Sequence, residues 1–120
     1  MFRVDLSPLA VQDVEKILDW ASEYFGADAV QRYKVLLIQA IDDVAVNPHL
    51  NGSVERTDVA KGMLTYHLAN SRSRVPRSAG RVKQPRHFLL YRIASSDLVQ
   101  IIRVLHDSMD LSRHLPEDLG

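Results

Sequence analysis

The chain has no cysteine among its 120 residues. This absence excludes disulfide bonds, zinc sites with thiolate ligands and catalysis by a thiol nucleophile. It also fits a protein that works in a reducing compartment, where disulfides rarely persist. The cysteine count therefore removes three classes of site at once and agrees with a cytoplasmic location.

Long apolar runs are missing as well. The run "VLLI" at 35–38 is far shorter than the ~20 residues that a membrane-spanning helix needs. The N-terminal "MFRVDLSPLA" has neither the basic nor the apolar region of a secretory signal peptide. With 46% hydrophobic and 25% charged residues, the composition is that of an ordinary globular protein. We expect one cytoplasmic domain over residues 1–120 that contacts no membrane.

Net charge is zero, yet the charges are segregated along the chain. Residues 1–58 hold ten acids and five bases, residues 59–96 hold eight bases and no acid, and residues 97–120 hold five acids and two bases. An uninterrupted basic segment forms a positive patch whatever the total charge. It is either a solvated arginine-rich loop balanced by acidic helices or a surface for an acidic partner or a phosphate backbone. The eight bases are Lys61, Arg72, Arg74, Arg77, Arg81, Lys83, Arg86 and Arg92.

Hydrophobic periodicity in the first half predicts a strand followed by two helices. The stretch "FRVDL" at 2–6 alternates apolar and polar residues, as a half-buried strand does. Ser7 and Pro8 form a helix start, and Gly26 can end that helix in the left-handed conformation. A second helical stripe begins almost at once and stops before Pro48. So short a connection predicts an antiparallel helix hairpin.

The second half predicts strands and one long loop. The stretches at 63–69, 87–94 and 98–105 are typical of strands, and "SSD" joins the last two as a hairpin. The stretch at 70–85 has no period and predicts a long mobile loop. The fold class is therefore α+β, with an N-terminal strand, a helix hairpin packed on a three- to four-stranded antiparallel sheet, and a short C-terminal turn or tail. The bases of the loop are Arg72, Arg74, Arg77, Arg81 and Lys83.

Three stretches carry a family resemblance: "FGADAVQRY" at 25–33, "VAVNPHLNG" at 44–52 and above all "IIRVLHDSMDLSRHL" at 101–115. They resemble the ParE branch of the RelE/ParE toxin family of type II toxin-antitoxin modules, also known as plasmid stabilization systems. The resemblance covers nearly the whole chain. It implies a growth-arresting toxin that inhibits DNA gyrase by binding rather than by catalysis, without a cofactor. It also implies a small ParD-like antitoxin that forms a hetero-oligomer with the toxin, and DNA contact only through that antitoxin or gyrase.

The related RelE branch cuts messenger RNA on the ribosome, and this alternative stays open beside an inactive relic that only binds its antitoxin. RNA cleavage needs a base for the 2′-hydroxyl, cations for the phosphate and a proton donor for the leaving oxygen. RelE-type toxins resemble one another in carrying an arginine at the position of Phe88 and a cation at the position of Asp107. Both departures count against a nuclease. For a nuclease, the candidate residues are Arg86, His87, Tyr91, Arg92 and His106.

The C-terminal stretch invites a metal hypothesis, which the spacing does not favour. A site would need His106, Asp107, Asp110 and His114, but these histidines lack the i, i+4 spacing of a helical pair. We predict no metal. In a structural interpretation, His106 hydrogen-bonds at the strand's exit and Asp110 caps a closing turn.

Contact with a partner is the function that we expect from the remaining candidates. Trp20 lies at the edge of a helical core stripe, where a partly exposed indole can anchor an antitoxin segment. Guanidinium groups of the loop can pair with carboxylates or phosphates. His67 and His87 flank the loop and are predicted to face each other as structural groups. The predicted partner-binding residues are Trp20, Arg72, Arg74, Arg77, Arg81, Lys83, Arg103, His106, Met109, Asp110, Arg113 and His114.

Overall fold

The structure, a computed structural model, describes residues 1–109 and confirms the α+β class. Two helices pack on a five-stranded sheet. Among residues 1–109, neither helix is long and apolar enough to cross a membrane. In chain order the elements are β1 (Arg3–Leu6), α1 (Pro8–Phe25), α2 (Ala27–Val46), β2 (Ser53–Glu55), β3 (Met63–His67), two 3-10 helices (Leu68–Arg74 and Arg77–Ala79), β4 (His87–Ser95) and β5 (Leu98–His106).

The ends of both helices lie where the capping signals predict them. The Ser7 hydroxyl accepts the Ala10 N–H at 3.1 Å and donates to the Ile102 carbonyl at 2.6 Å, so it caps α1 and fixes its start to β5. Gly26, with φ 87°, alone separates α1 from α2. Because that φ suits only glycine without strain, the chain can reverse within one residue. Helix α2 stops before Pro48, as predicted.

The sheet is larger than predicted, and it is mixed. Its strand order is β1-β5-β4-β3-β2, and β1 pairs with β5 in parallel, with Val4 opposite Val99. The remaining pairs are antiparallel. The prediction of three to four antiparallel strands was wrong in two respects, because β1 joins the sheet in parallel beside β5 and because "SVE" at 53–55 adds a short edge strand.

Both faces of the sheet are covered by apolar side chains. A β-bulge in β5 shifts the register between Leu90 and Tyr91 and inserts Ile102 as an extra residue. The extra residue changes the phase of the alternation, so Ile101 and Val104 both pack in the larger core beneath the helices, and Ile102 and Leu105 both pack in a smaller one. Together with Ile102, the smaller core contains Met63, Leu90 and Leu105 and is flanked by Val59, Ala60 and Phe88.

Two buried carboxylates join the helices to the second half of the chain. Asp13 on α1 accepts hydrogen bonds from the Arg103 guanidinium at 2.7 and 2.8 Å and from the Val104 N–H at 3.0 Å. Asp43 on α2 accepts from the Ser71 hydroxyl at 2.6 Å and pairs with Arg74 at 3.1 Å. Among residues 1–109, every buried side-chain nitrogen or oxygen has a hydrogen-bond partner.

Candidate functional site

Titratable side chains gather where β3 ends, β4 begins and β5 ends. Antiparallel pairing sets His87 opposite His106 and His67 opposite Phe88. The predicted pairing of His87 with His67 is thus replaced by pairing with His106, since His67 lies one register position away. We call the whole group the histidine cluster; its members are Tyr33, His67, Arg86, His87, His106 and Asp107.

The inner layer of the histidine cluster is neutral. The Tyr33 hydroxyl lies 2.6 Å from Nδ1 of His87 and accepts the Arg86 N–H at 3.3 Å. Burial, followed by the nearby His106, lowers the pKa of His87 to about 4. Burial also raises the pKa of Tyr33 to about 12. At neutral pH the tyrosine and the imidazole therefore form an uncharged pair that fixes α2 to β4.

The outer layer of the cluster surrounds the Asp107 carboxylate. One oxygen lies 3.0 Å from Nε2 of His67, and the other lies 3.1 Å from the Arg86 guanidinium and 3.6 Å from Nδ1 of His106. His67 Nδ1 accepts the Ala69 N–H at 3.0 Å, so the proton of the neutral ring is on Nε2 and is donated to Asp107. The hydrogen bond from His67, aided by the charge of Arg86, lowers the pKa of Asp107. The carboxylate is charged, and both of its oxygens are held.

The structure separates the residues proposed for a nuclease. Arg86, His87 and His106 lie together in the histidine cluster. Tyr91 is fully buried, and its hydroxyl donates to the Pro48 carbonyl at 2.6 Å. Arg92 lies five residues along β4 from His87, about 17 Å away at the usual rise of a strand, and its guanidinium donates to Gln100. The cations and the tyrosine therefore do not converge on one point.

The metal hypothesis finds no support within residues 1–109. No group of three or more histidine, aspartate or glutamate side chains in this range is placed to hold an ion. Asp107 pairs with Arg86, which is a cation itself, and Nδ1 of His106 accepts the Ser108 N–H at 3.1 Å. Asp110 and His114, the other two residues of that hypothesis, lie outside the described residues.

Half of the stretch predicted as a long mobile loop, residues 70–85, lies in two 3-10 helices, and arginines of the stretch hold its backbone. Arg72 donates to the Val82 carbonyl at 2.6 Å, and Arg81 donates to the Val75 and Ser73 carbonyls at 2.9 and 2.8 Å. These hydrogen bonds follow no sequence period, so the pattern at 70–85 gave no sign of them. We keep the name arginine loop for this stretch, residues 70–85.

The cations of the arginine loop divide into inward and outward groups. Arg72 and Arg81 hold the loop backbone, and Arg74 pairs with the buried Asp43. Arg77 and Lys83 are exposed, and neither contacts an acid within residues 1–109. The positive charge available to a partner therefore lies on a subset of the loop.

Exposed aromatic side chains end the first helix. Trp20 is 51% exposed, Tyr24 65% and Phe25 64%. The indole ring lies 5.7 Å from the Tyr24 ring and 5.2 Å from the Phe25 ring, between centroids. We call these three residues the aromatic end of α1. A group of large exposed aromatic rings is characteristic of a contact surface.

Comparison with known proteins places the chain in a family. The model of the family described as "ParE toxin of type II toxin-antitoxin system, parDE" matches residues 4–111. The chain belongs to the ParE toxin family. Toxin ParE1 of Mycobacterium tuberculosis, from strains CDC 1551 / Oshkosh and ATCC 25618 / H37Rv, is 30% identical over 110 residues. That alignment covers 92% of this chain and 94% of the relative.

Membership in the ParE family confirms the resemblance seen in the sequence. It establishes a toxin of a type II toxin-antitoxin module, and such a module implies an antitoxin partner.

Other predicted contact residues of this ParE toxin lie at different depths. Trp20 is half exposed, as its place at the edge of the core stripe predicted. Arg103 pairs with Asp13 inside the fold, whereas Met109 is exposed. The predicted contacts of Asp110, Arg113 and His114 lie outside the described residues.

Several residues of the site were not singled out by the sequence of this ParE toxin. Helical spacing places Tyr33 in the apolar stripe of α2, and its hydroxyl contact with His87 spans 54 residues. The contact between His67 and Asp107 spans 40 residues. Tyr24 was not singled out. Helical spacing assigns Phe25 to the apolar stripe of α1, and that assignment was wrong because its side chain at the helix end is 64% exposed. The signal available for them was their position next to Trp20 at a helix end.

Proposed function

We propose that this ParE toxin inhibits DNA gyrase by binding and that a ParD-like antitoxin neutralises it by covering its contact surfaces. The observation that carries the non-catalytic reading is the separation of the nuclease candidates, with Tyr91 sealed in the core and Arg92 far along β4 from His87. A binding toxin needs no converging catalytic groups. Gyrase acts in the cytoplasm, so the proposal locates the toxin there.

Antitoxin contact at the aromatic end of α1 is supported by its exposure. Large aromatic side chains lose little conformational entropy when they are covered, and they dominate the energy of many interfaces. Asp19, Glu23 and Asp28 are exposed in the same part of the chain. An antitoxin arm that orders on binding would therefore match this surface with apolar residues flanked by bases.

The outward cations of the arginine loop are our candidates for contact with gyrase and its bound DNA. Arg77 and Lys83 are exposed and unpaired within residues 1–109, so their charge is available to a negative surface. Contacts of this kind speed association and weaken as salt is added. We expect gyrase inhibition to lose potency as the salt concentration rises.

A supercoiling assay with purified gyrase and antitoxin-free toxin tests the proposal. A ribosome-bound messenger RNA cleavage assay runs beside it. We expect inhibited supercoiling and intact message. Cut message with unaffected gyrase would contradict the proposal. Unaffected gyrase together with intact message would identify a non-toxic chain that only binds its antitoxin.

Charge reversal at the outward cations tests the contact surface. The R77E/K83E variant should lose about tenfold in gyrase inhibition, since two contact charges change sign without loss of an internal hydrogen bond. The matched control is K16E/K34E, which reverses two exposed charges on the helices. Equal inhibition by both variants would remove the arginine loop from the gyrase contact.

Ribosome-dependent cleavage of messenger RNA remains the second candidate because Arg86, His87 and His106 do lie together. The His106 side chain is 35% exposed, which makes it the most accessible imidazole of the histidine cluster. If the toxin cuts message, H106Q should abolish the cut while urea-induced unfolding stays unchanged. Cleavage that survives H106Q would exclude this histidine as the acid or base.

A further inference from the structure

The outer layer of the histidine cluster holds an anion, and that anion belongs to the chain itself. His67 from the end of β3 donates a hydrogen bond to Asp107, which follows β5, and Arg86 from the segment before β4 forms an ion pair with the same carboxylate. We propose that His67 and Arg86 form a carboxylate-binding site, that Asp107 occupies it in the free toxin, and that an acidic side chain of the antitoxin displaces Asp107 on binding. The identity of the partner rests on the proposed neutralisation by an antitoxin.

The backbone and the imidazole of this site are held by contacts that do not involve the Asp107 carboxylate. The backbone N–H of Ala69 fixes the His67 ring, so its Nε2–H is aimed at the carboxylate. Arg86 is held in place by backbone hydrogen bonds, since its carbonyl accepts the Asp107 N–H at 2.8 Å and its own N–H donates to Tyr33. The His67 donor is therefore already oriented and binds an incoming anion at a lower ordering cost, whereas Arg86 is fixed at its backbone and supplies a charge.

Exchange of the carboxylate requires only a side-chain rotation. The Asp107 side chain is 28% exposed and the Arg86 side chain 57%, so solvent reaches the pair. Ion pairs at such positions are weak, because water screens the charges and the side chains lose entropy when held. The hydrogen bond from the Asp107 N–H to Arg86 can persist while the carboxylate swings away, so the β4–β5 pairing need not open.

The surrounding charge favours an acidic ligand. Residues 59–96 contain eight bases and no acid. Within residues 1–109, Asp43 and Asp107 are the two acids in ion pairs with the bases and histidines of that segment, and Asp43 is buried. Asp107 is thus the exchangeable one. The site already holds a carboxylate by both oxygens, so aspartate or glutamate is the chemistry that it fits.

Anion-dependent melting of the D107A variant tests the site. Sodium acetate is the probe, compared with sodium chloride at equal ionic strength and neutral pH. D107A should bind acetate about tenfold more tightly than the wild type, because no internal carboxylate competes. It should show this as a saturable rise in Tm. The matched control D107A/R86A should lose the rise, since half of the site is gone.

Three outcomes decide the proposal. An acetate-dependent rise in D107A that D107A/R86A lacks supports it. No difference between acetate and chloride overturns it, and stronger stabilisation by inorganic phosphate or binding of a labelled oligouridylate overturns the carboxylate assignment in favour of a nucleic-acid site.

A second measurement covers failure of D107A to fold. In the wild type, titration with N-acetylglutamate should shift the NMR signals of the His67 ring saturably, while the exposed His49 ring stays unchanged; no shift overturns the proposal. Neither measurement contains gyrase, so a failed supercoiling assay and a failed anion assay are separate results.

Discussion

Two arginine–carboxylate pairs in this toxin use the same chemistry in opposite environments. The Asp13 and Arg103 side chains are 10% and 16% exposed, whereas those of Asp107 and Arg86 are 28% and 57% exposed. Asp13 receives two guanidinium hydrogen bonds and a backbone N–H, whereas Arg86 reaches Asp107 through one contact at 3.1 Å. The difference teaches that burial decides whether an ion pair is part of the fold or available for exchange.

Removal of the buried carboxylate should have the largest effect. D13N should lower the free energy of unfolding by about 3–5 kcal/mol, because Arg103 keeps its charge in a poorly hydrated place and the Val104 N–H loses its charged acceptor. Urea denaturation followed by circular dichroism measures this. The matched control is D19N, an exposed aspartate on the same helix. Equal losses of unfolding free energy in D13N and D19N would show that the buried pair stabilises the fold no more than an exposed aspartate does.

Acidification should break the inner layer of the histidine cluster before the outer one. The pKa of His87 falls to about 4 in the folded chain, so the unfolded chain binds more protons between pH 6.5 and pH 4. Stability from this group is therefore complete above pH 6.5 and is lost as the pH falls through that window. The full loss is about 3 kcal/mol, from 1.36 kcal/mol per pKa unit.

Urea unfolding curves between pH 7 and pH 4 measure that loss for the wild type and for H87Q. H87Q cannot take up the proton, so its stability should change less with pH over this window. H49Q serves as the control because His49 is an exposed turn residue. Parallel pH profiles for the wild type and H87Q would rule out His87 as the origin of the loss of stability at low pH.

Exposed aromatic residues extend the comparison to apolar side chains. W20A should leave the free energy of unfolding within about 0.5 kcal/mol of the wild type, as surface substitutions usually do. Antitoxin binding should weaken by about 2 kcal/mol if the aromatic end of α1 is an anchor. Isothermal titration calorimetry with the purified antitoxin measures the second effect, and V46A, an exposed residue at the end of α2, is the control. Unchanged affinity of W20A for the antitoxin would show that the aromatic end of α1 is not an anchor for it.

The helices were predictable from sequence because their signals are local. Ser7 and Pro8 identify a helix start, and Gly26 identifies the reversal between α1 and α2, without any knowledge of the rest of the chain. The parallel pairing of β1 with β5 joins residues 95 positions apart, such as Val4 and Val99. No local pattern distinguishes that arrangement from a free strand, which is why the sheet was predicted too small.

The site was predictable by residue type but not by role. Sequence reasoning singled out His106 and Arg86, yet whether these side chains meet a substrate or a carboxylate depends on contacts across three strands. Asp107 was recognisable in the sequence as an acid at a position where RelE-type toxins carry a cation. The contact of Asp107 with His67 was not visible in the sequence, because only the β3–β4–β5 pairing brings the two side chains together.

The coupling between Asp107 and Arg86 is the smallest effect that we expect, and it tests the comparison of the two arginine–carboxylate pairs most directly. A double-mutant cycle on Asp107 and Arg86, using D107A, R86A and the double variant, should give a coupling energy of about 1 kcal/mol or less, because water screens both charges. The same cycle with D13A and R103A should give clearly more, since the buried carboxylate is held there by several donors. Urea denaturation at neutral pH measures both couplings, and added salt should reduce only the first. Equal couplings would mean that Asp107 is as fixed as Asp13, and an incoming carboxylate would then have no weak pair to displace.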